Sequence, residues 1–313
     1  MLPCQPVHTY SIVAYDSATG DLGIAVQSHW FCVGPAVIWA EAGTGVVAVQ
    51  SDADPRYGTA ALDRLRAGMP AQEALAALVR EGERPESHQI ALLDRHGQAA
   101  AHTGPACIPE SGHIVEPGFS AQANMMLTAE VWDAMGRAYR AASGSLAERM
   151  LAALDAAEAC GGDVRGKQSA AIMVVRPKAV GDRRLDCPID LRVDDHPDPL
   201  TELCRLLRLR QAGDHADRGF TMLWRGDAPA AIDAFAAAVD RAADKPEFRF
   251  WQAWALLKAG RTAAAVDSLA ALLATAPRWG RLFERVAAAE RIALDDRIRQ
   301  LIKRAGRDSP SAP

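Results

Sequence analysis

An α+β domain followed by an all-helical segment is the fold class that this 313-residue chain predicts, and two observations carry it. Short β-branched runs joined by turn residues recur through the first two thirds, interleaved with two pairs of helical stretches. From Pro197 onward the composition turns to Ala, Leu and Arg at helical spacing, with no strand signal. That change divides the chain into residues 1–196 and 197–313.

Thr9 to Asp16 and Asp21 to Ser28 form a hairpin across Ser17-Ala18-Thr19-Gly20. Ala36 to Ala40 and Gly45 to Gln50 form a second, turning at Glu41-Ala42-Gly43-Thr44. Asp54-Pro55-Arg56-Tyr57-Gly58 breaks the strand pattern. A helix over Thr59 to Ala67 then places Ala61, Leu62 and Leu65 on one face before Gly68 ends it. Pro70 opens another helix, whose apolar stripe is Ala74, Leu75, Leu78 and Val79. Ser87 to Leu93 and Gln98 to His102 flank Asp94-Arg95-His96-Gly97 as a third hairpin, and Phe119 to Met126 adds a strand. Helices follow over Ala129 to Ala142 and Leu146 to Cys160, the second opened by the capping box Ser145-x-x-Glu148 and stopped by Gly161-Gly162. Gln168 to Val175 and Ile189 to Val193 return as strands around a polar loop at Gly181-Asp182-Arg183-Arg184.

In the tail, Gly226 to Phe235 recurs as Gly260 to Leu269, with 34 residues between the glycines. This is the period of a tetratricopeptide (TPR) helix pair, which reads as a module for a protein partner. Fewer than three full repeats are visible, so a flanking helix over Leu282 to Ala305, or docking on the first domain, is expected to cap the array. Phe248, Phe250, Trp251 and Trp254 read as its packing.

The net charge of −4 gives no reason to expect nucleic acid; the 19 Lys and Arg against 15 acids from Pro197 onward are a mild asymmetry. Cys4, Cys32, Cys107, Cys160, Cys187 and Cys204 contain no C-x-x-C pair and no short-spaced cluster with His, so no metal and no cofactor are expected. There is no basic-then-apolar leader and no apolar run of ~20 residues, so the expectation is a soluble, cytoplasmic protein without a membrane partner.

Thr9, at the head of the first strand, bears on chemistry. A Thr at a chain's own amino terminus is a nucleophile that carries its base with it, because the free α-amine titrates near pH ~8 and takes the hydroxyl proton. Eight residues precede Thr9, and removal of Met1 is blocked by the bulky Leu2, so this chemistry requires cleavage between His8 and Thr9.

The segments T-Y-S-I-V-A-Y-D, G-D-L-G-I-A-V-Q-S, G-T-G-V-V-A-V-Q-S, D-P-R-Y-G, C-I-P-x-x-G-H, Q-A-N-M-M, G-G-D-V-R-G-K-Q-S-A-A and D-L-R-V-D-D-H-P-D-P occur in that order between Thr9 and about Pro199. Together they resemble the family called DUF1028, placed among the amino-terminal-nucleophile (Ntn) hydrolases. The resemblance implies a four-layer αββα sandwich and acyl transfer to a hydroxyl, with no substrate attached to the family. Thr9 is then the candidate nucleophile, with Ser11 as rival, and Asn124 in Q-A-N-M is the candidate oxyanion donor. Ser28 and Gln50 each end a strand, so antiparallel pairing brings them to one rim as substrate contacts. Asp163 is placed to hold the α-amine, and Arg165 to hold a carboxylate or ureide through its two-pronged guanidinium; the plainer alternative is that these two pair with each other. Cys107 with His102 or His113 is an intact-chain alternative. Two functions stay open: hydrolysis of a small amide or ureide by an Ntn-type enzyme that forms a homo-oligomer, or a catalytically silent αββα domain attached to a TPR interaction module.

Overall fold

The computed structural model describes residues 6–307. The chain forms two compact units, Met1–Leu206 and Leu207–Pro313. The first contains β1 (Pro6–Val7), β2 (Tyr10–Tyr15), β3 (Leu22–Ser28), α1 (Val33–Val37), β4 (Ile38–Glu41), β5 (Gly45–Asp52), α2 (Pro55–Arg66), α3 (Ala71–Glu81), β6 (His88–Asp94), β7 (Ala99–Thr103), β8 (Gly112–Glu116), β9 (Phe119–Ala123), α4 (Val131–Ala141), α5 (Leu146–Ala159), β10 (Ser169–Val175), α6 (Arg183–Asp186) and β11 (Ile189–Val193). α7 (Pro199–Trp224) follows, and the division between the units falls inside it, several residues after the change in composition.

All strand pairs are antiparallel. One sheet runs β1-β5-β6-β7, with β4 also paired to β5; the other runs β11-β10-β3-β2-β9-β8. Val13, Leu22, Ile24 and Val26 of the second sheet pack with Val46, Ala48, Ala91 and Leu93 of the first to form one buried core. The outer face of the first sheet buries Val47, Val49, Ile90 and Leu92 against Ala61, Leu65, Ala74 and Leu78 of α2 and α3. α4 and α5 pack on the second sheet, where an added Cβ at Gly23 would meet Met150 and Leu146. Alternation along each strand sends one side chain to the shared core and the next to a helix layer.

Several elements differ from their sequence expectation. Gly112–Glu116 is a strand pairing with β9, although its glycine and two charged or titratable residues dilute the period-2 signal. Residues 36–40 split into the end of α1 and the start of β4. β9 stops at Ala123, short of the expected end at Met126, and Met125 just beyond it takes φ +59°, outside the extended region. Helix α2 starts earlier than expected, with Asp54 accepting from the Arg56 N–H as cap and Pro55 in the first turn. Within α2 the Trp39 indole lies 2.3–2.4 Å from where a Gly58 Cβ would sit. Gly58→Ala should therefore cost roughly 1–2 kcal/mol net, overpacking outweighing the gain in helix propensity, and lower the thermal midpoint.

In the second unit, α8 (Ala228–Arg241), α9 (Pro246–Lys258), α10 (Thr262–Thr275), α11 (Trp279–Ala289) and α12 (Asp296–Arg307) form an all-helical array. α8, α10 and α12 begin at 228, 262 and 296, each 34 residues after the last. The helix expected over 282–305 is two helices, broken after Ala289 where Arg291 takes φ +58°. Phe250, Trp254 and Phe283 are buried in edge-on contacts with one another and their neighbours, so these aromatics are core. Among the described residues no helix is long and apolar enough to cross a membrane.

Candidate functional site

β1 lies along the end of β5, with Pro6 opposite Asp52 and Val7 opposite Ser51, and the chain then crosses to the second sheet to begin β2. His8 and Thr9 are this crossing, and both are buried between the sheets. A side chain there can be met by strands of either sheet, and the polar residues at the strand ends converge on it.

The His8 carbonyl accepts from Ser28 Oγ at 2.5 Å and from Arg165 Nη2 at 3.0 Å. The next carbonyl, that of Thr9, accepts from the Asn124 N–H at 3.1 Å, from Gln50 Nε2 at 3.3 Å and from Asn124 Nδ2 at 3.5 Å. The peptide bond between the two residues is thus gripped on both sides. Thr9 Oγ1 donates to the Val7 carbonyl at 3.2 Å. Arg165 also forms a bidentate pair with Asp163, at 3.0 Å from Nε to Oδ1 and 2.7 Å from Nη2 to Oδ2. The Asp163 side chain is fully buried and its Oδ2 accepts the His29 N–H at 3.4 Å. The two residues thus bond each other, the plainer of the two alternatives, and Arg165 also reaches the chain at His8.

Thr9, Ser11, Ser28, Gln50, Asn124, Asp163 and Arg165 all lie in one connected cluster. Within it Ser11 is committed as a structural hydroxyl, donating to Gln50 Oε1 at 2.7 Å and accepting from Gln122 Nε2 at 2.6 Å. Asn124 is engaged by the chain itself. Its donors serve Thr9's own carbonyl and Gln89, whereas the carbonyl preceding Thr9 is held by Ser28 and Arg165. The donor geometry for a carbonyl attacked at residue 8 thus falls to the two residues expected to bind substrate.

Two residues in the cluster were not anticipated from sequence. His8 places Nδ1 2.8 Å from Asn124 Oδ1. Gln89 is a hub, its Oε1 accepting from Gln50 at 2.7 Å and Asn124 at 2.9 Å while its Nε2 shares its two protons among three acceptors, Thr103 Oγ1 and the carbonyls of Gly112 and Ala123. The available signal for Gln89 was a Gln directly before the apolar run Ile90 to Leu93 of β6. Gln50 and Asn124 are each followed by a non-glycine residue with positive φ, Ser51 at +67° and Met125 at +59°. Such conformations cost on the order of 1–3 kcal/mol and persist where the surroundings over-determine them.

The Cys–His alternative does not assemble. Cys107 donates to the His88 carbonyl, His102 Nε2 meets the Pro85 carbonyl and His113 Nδ1 meets Thr103, while burial pushes the Cys107 thiol up, away from a reactive thiolate. A cleft of about 830 Å³ lined by Tyr15, His96, Phe119, Tyr139 and Arg149 lies at the other end of the strands and shares no residue with the cluster. Among the described residues no group of His, Cys, Asp and Glu is arranged to hold a metal ion.

Burial holds the His8 imidazole below its ordinary pKa, with the Arg165 charge adding to the effect against the opposing hydrogen bond that His8 makes to Asn124. The folded chain thus binds fewer protons here than the unfolded chain, and stability falls as pH drops below the ordinary histidine value of ~6.5. His113 is shifted the same way. His8→Gln should therefore flatten, without abolishing, the fall of thermal midpoint between about pH 6.5 and 5, measured on the full-length chain.

The family described as "Family of unknown function (DUF1028)" matches residues 9–203. The crystal structure of protein SPO2555 from Silicibacter pomeroyi, assigned to the same family, aligns with a TM-score of 0.61 and 32% identity, covering 67% of this chain and 92% of that one. No curated protein matches the chain. The match begins at Thr9, the residue on which the buried cluster converges, and on both grounds the chain belongs to the DUF1028 family.

Proposed function

We propose that this chain is an amidohydrolase of the N-terminal-nucleophile type, its two sheets and outer helix pairs forming the four-layer sandwich of that superfamily, and that Thr9 becomes its nucleophile by cleavage of the His8–Thr9 bond. The observation that carries the reading is the pair of donors, Ser28 Oγ and Arg165 Nη2, on the carbonyl of the bond that must break. Thr9 Oγ1 attacks the His8 carbonyl carbon; negative charge develops on the His8 oxygen, where those two donors already point. The C–N bond breaks as the hydroxyl proton passes to the Thr9 nitrogen, leaving His8 as an ester on Thr9, which water hydrolyses. Residues 1–8 leave as an acid, and the released α-amine becomes the base for the same acyl chemistry on a substrate amide. Gln50 and Asn124 keep residue 9 in place by its carbonyl, and Asp163 balances the charge of Arg165 in the buried site.

The Leu207–Pro313 unit is read as a TPR-like partner-binding module, on the 34-residue spacing of α8, α10 and α12. Among its described residues no polar set resembles the Thr9 cluster, and the part we assign to this unit is to bind a partner.

Labelling with a β-lactone, an electrophile that acylates activated hydroxyls, tests the enzymatic reading. The expected product is a single adduct on a peptide that begins at Thr9. Absence of an adduct on Thr9 in folded protein would favour the silent-domain alternative.

A further inference from the structure

We infer that the pocket now filled by the His8 side chain is the subsite for the side chain of a substrate's acyl residue, and that it selects a neutral group carrying an N–H donor, such as an imidazole or a primary carboxamide. This rests on Thr9 being the nucleophile, as proposed above. In self-cleavage the acyl group on Thr9 is that of His8, with its oxygen between Ser28 and Arg165 and its side chain against Asn124. A substrate carbonyl seated on the same two donors and attacked by the same hydroxyl directs its own acyl side chain to the same place.

The polarity of that place follows from obligate hydrogen-bond roles. Which end of an amide is oxygen is ordinarily an assignment, but here backbone carbonyls fix it. The carbonyls of Gly112 and Ala123, which can only accept, lie 3.1 Å and 2.9 Å from one end of the Gln89 amide, so that end is Nε2. The other end is therefore Oε1, and whatever faces it donates: Gln50 Nε2 at 2.7 Å and Asn124 Nδ2 at 2.9 Å. With its nitrogen so committed, Asn124 presents Oδ1 to the His8 pocket, and the imidazole answers with an Nδ1–H at 2.8 Å. The far side of the network agrees, since Gln50 Oε1 accepts from Ser11, which in turn accepts from Gln122.

Once residues 1–8 leave, Asn124 Oδ1 is a buried acceptor without a partner. A ligand lacking a donor leaves it so, at a penalty worth roughly tenfold to a hundredfold in rate or affinity. Charged donors are disfavoured by the same burial and by the Arg165 charge, both of which push the His8 pKa down.

The test uses processed wild-type protein and the p-nitroanilides of L-histidine, L-glutamine and L-phenylalanine, with kcat/KM for each. Histidine and glutamine derivatives are expected to exceed the phenylalanine derivative by roughly tenfold to a hundredfold. A second readout does not depend on turnover: in full-length ¹⁵N-labelled Thr9→Ala, the His8 ring nitrogens should report the neutral Nδ1–H tautomer. A processed enzyme that turns over the phenylalanine derivative as fast as the histidine one, or an Nε2–H tautomer at His8, overturns this inference alone. A wild-type chain that stays at full length overturns the nucleophile reading, and this inference with it.

Discussion

Thr9→Ala is expected to remain at full length and to hydrolyse no amide, while keeping the fold. The substitution removes the attacking oxygen for self-cleavage and for turnover alike, so the two losses coincide. Little stability depends on it: among the described residues the hydroxyl makes one hydrogen bond, to the Val7 carbonyl, and its loss is worth about 1 kcal/mol. A thermal midpoint near that of the unprocessed wild type, with no product accumulating over days, is the expected result. Thr9→Ser keeps the oxygen and should process and react, which separates loss of the nucleophile from disturbance of the buried crossing.

Ser28→Ala and Arg165→Met should each slow release of residues 1–8 by on the order of 10²–10³-fold, the usual effect of removing one preorganised donor from a developing oxyanion. The two differ in their side effects. Ser28 Oγ serves the His8 carbonyl alone among its described bonds, so Ser28→Ala is the cleaner test. Arg165→Met also strips the fully buried Asp163 carboxylate of its charge partner, at a stability cost on the order of 3–5 kcal/mol. The pair Asp163→Asn with Arg165→Met should recover much of that stability without recovering the processing rate. Time courses by intact mass, alongside melts of the same samples, distinguish the two effects.

How far the sequence exposes this site is clearest in the tetrapeptide Ala-Val-Gln-Ser, which occurs at 25–28 and again at 48–51. In β3 it is Ser28 that faces the crossing, while Gln27 points to the α5 side and neither of its side-chain polar atoms has a protein partner. In β5 it is Gln50 that faces the crossing, and Ser51 takes a positive φ. A one-residue change of register exchanges the faces, and nothing within four identical residues states which register applies. The hairpins and helix pairs were legible because turns, caps and periodicity are local signals. Ser28, Gln50, Asn124, Asp163 and Arg165 were legible as polar residues closing apolar strands or opening loops. His8 and Gln89 were not, because their roles arise from partners 116 and 35 residues away along the chain. Read locally, His8 is one residue of a leader and Gln89 one polar residue in a strand.

The mass of the mature chain is the most direct measure of whether Thr9 is a nucleophile. Wild-type protein, purified and left at neutral pH, should convert to a species beginning at Thr9, with residues 1–8 released, and amide hydrolysis should rise in step with that species. Active protein that still begins at Met1 would contradict the account, because the buried Thr9 hydroxyl of the uncut chain has neither its amine base nor access to substrate.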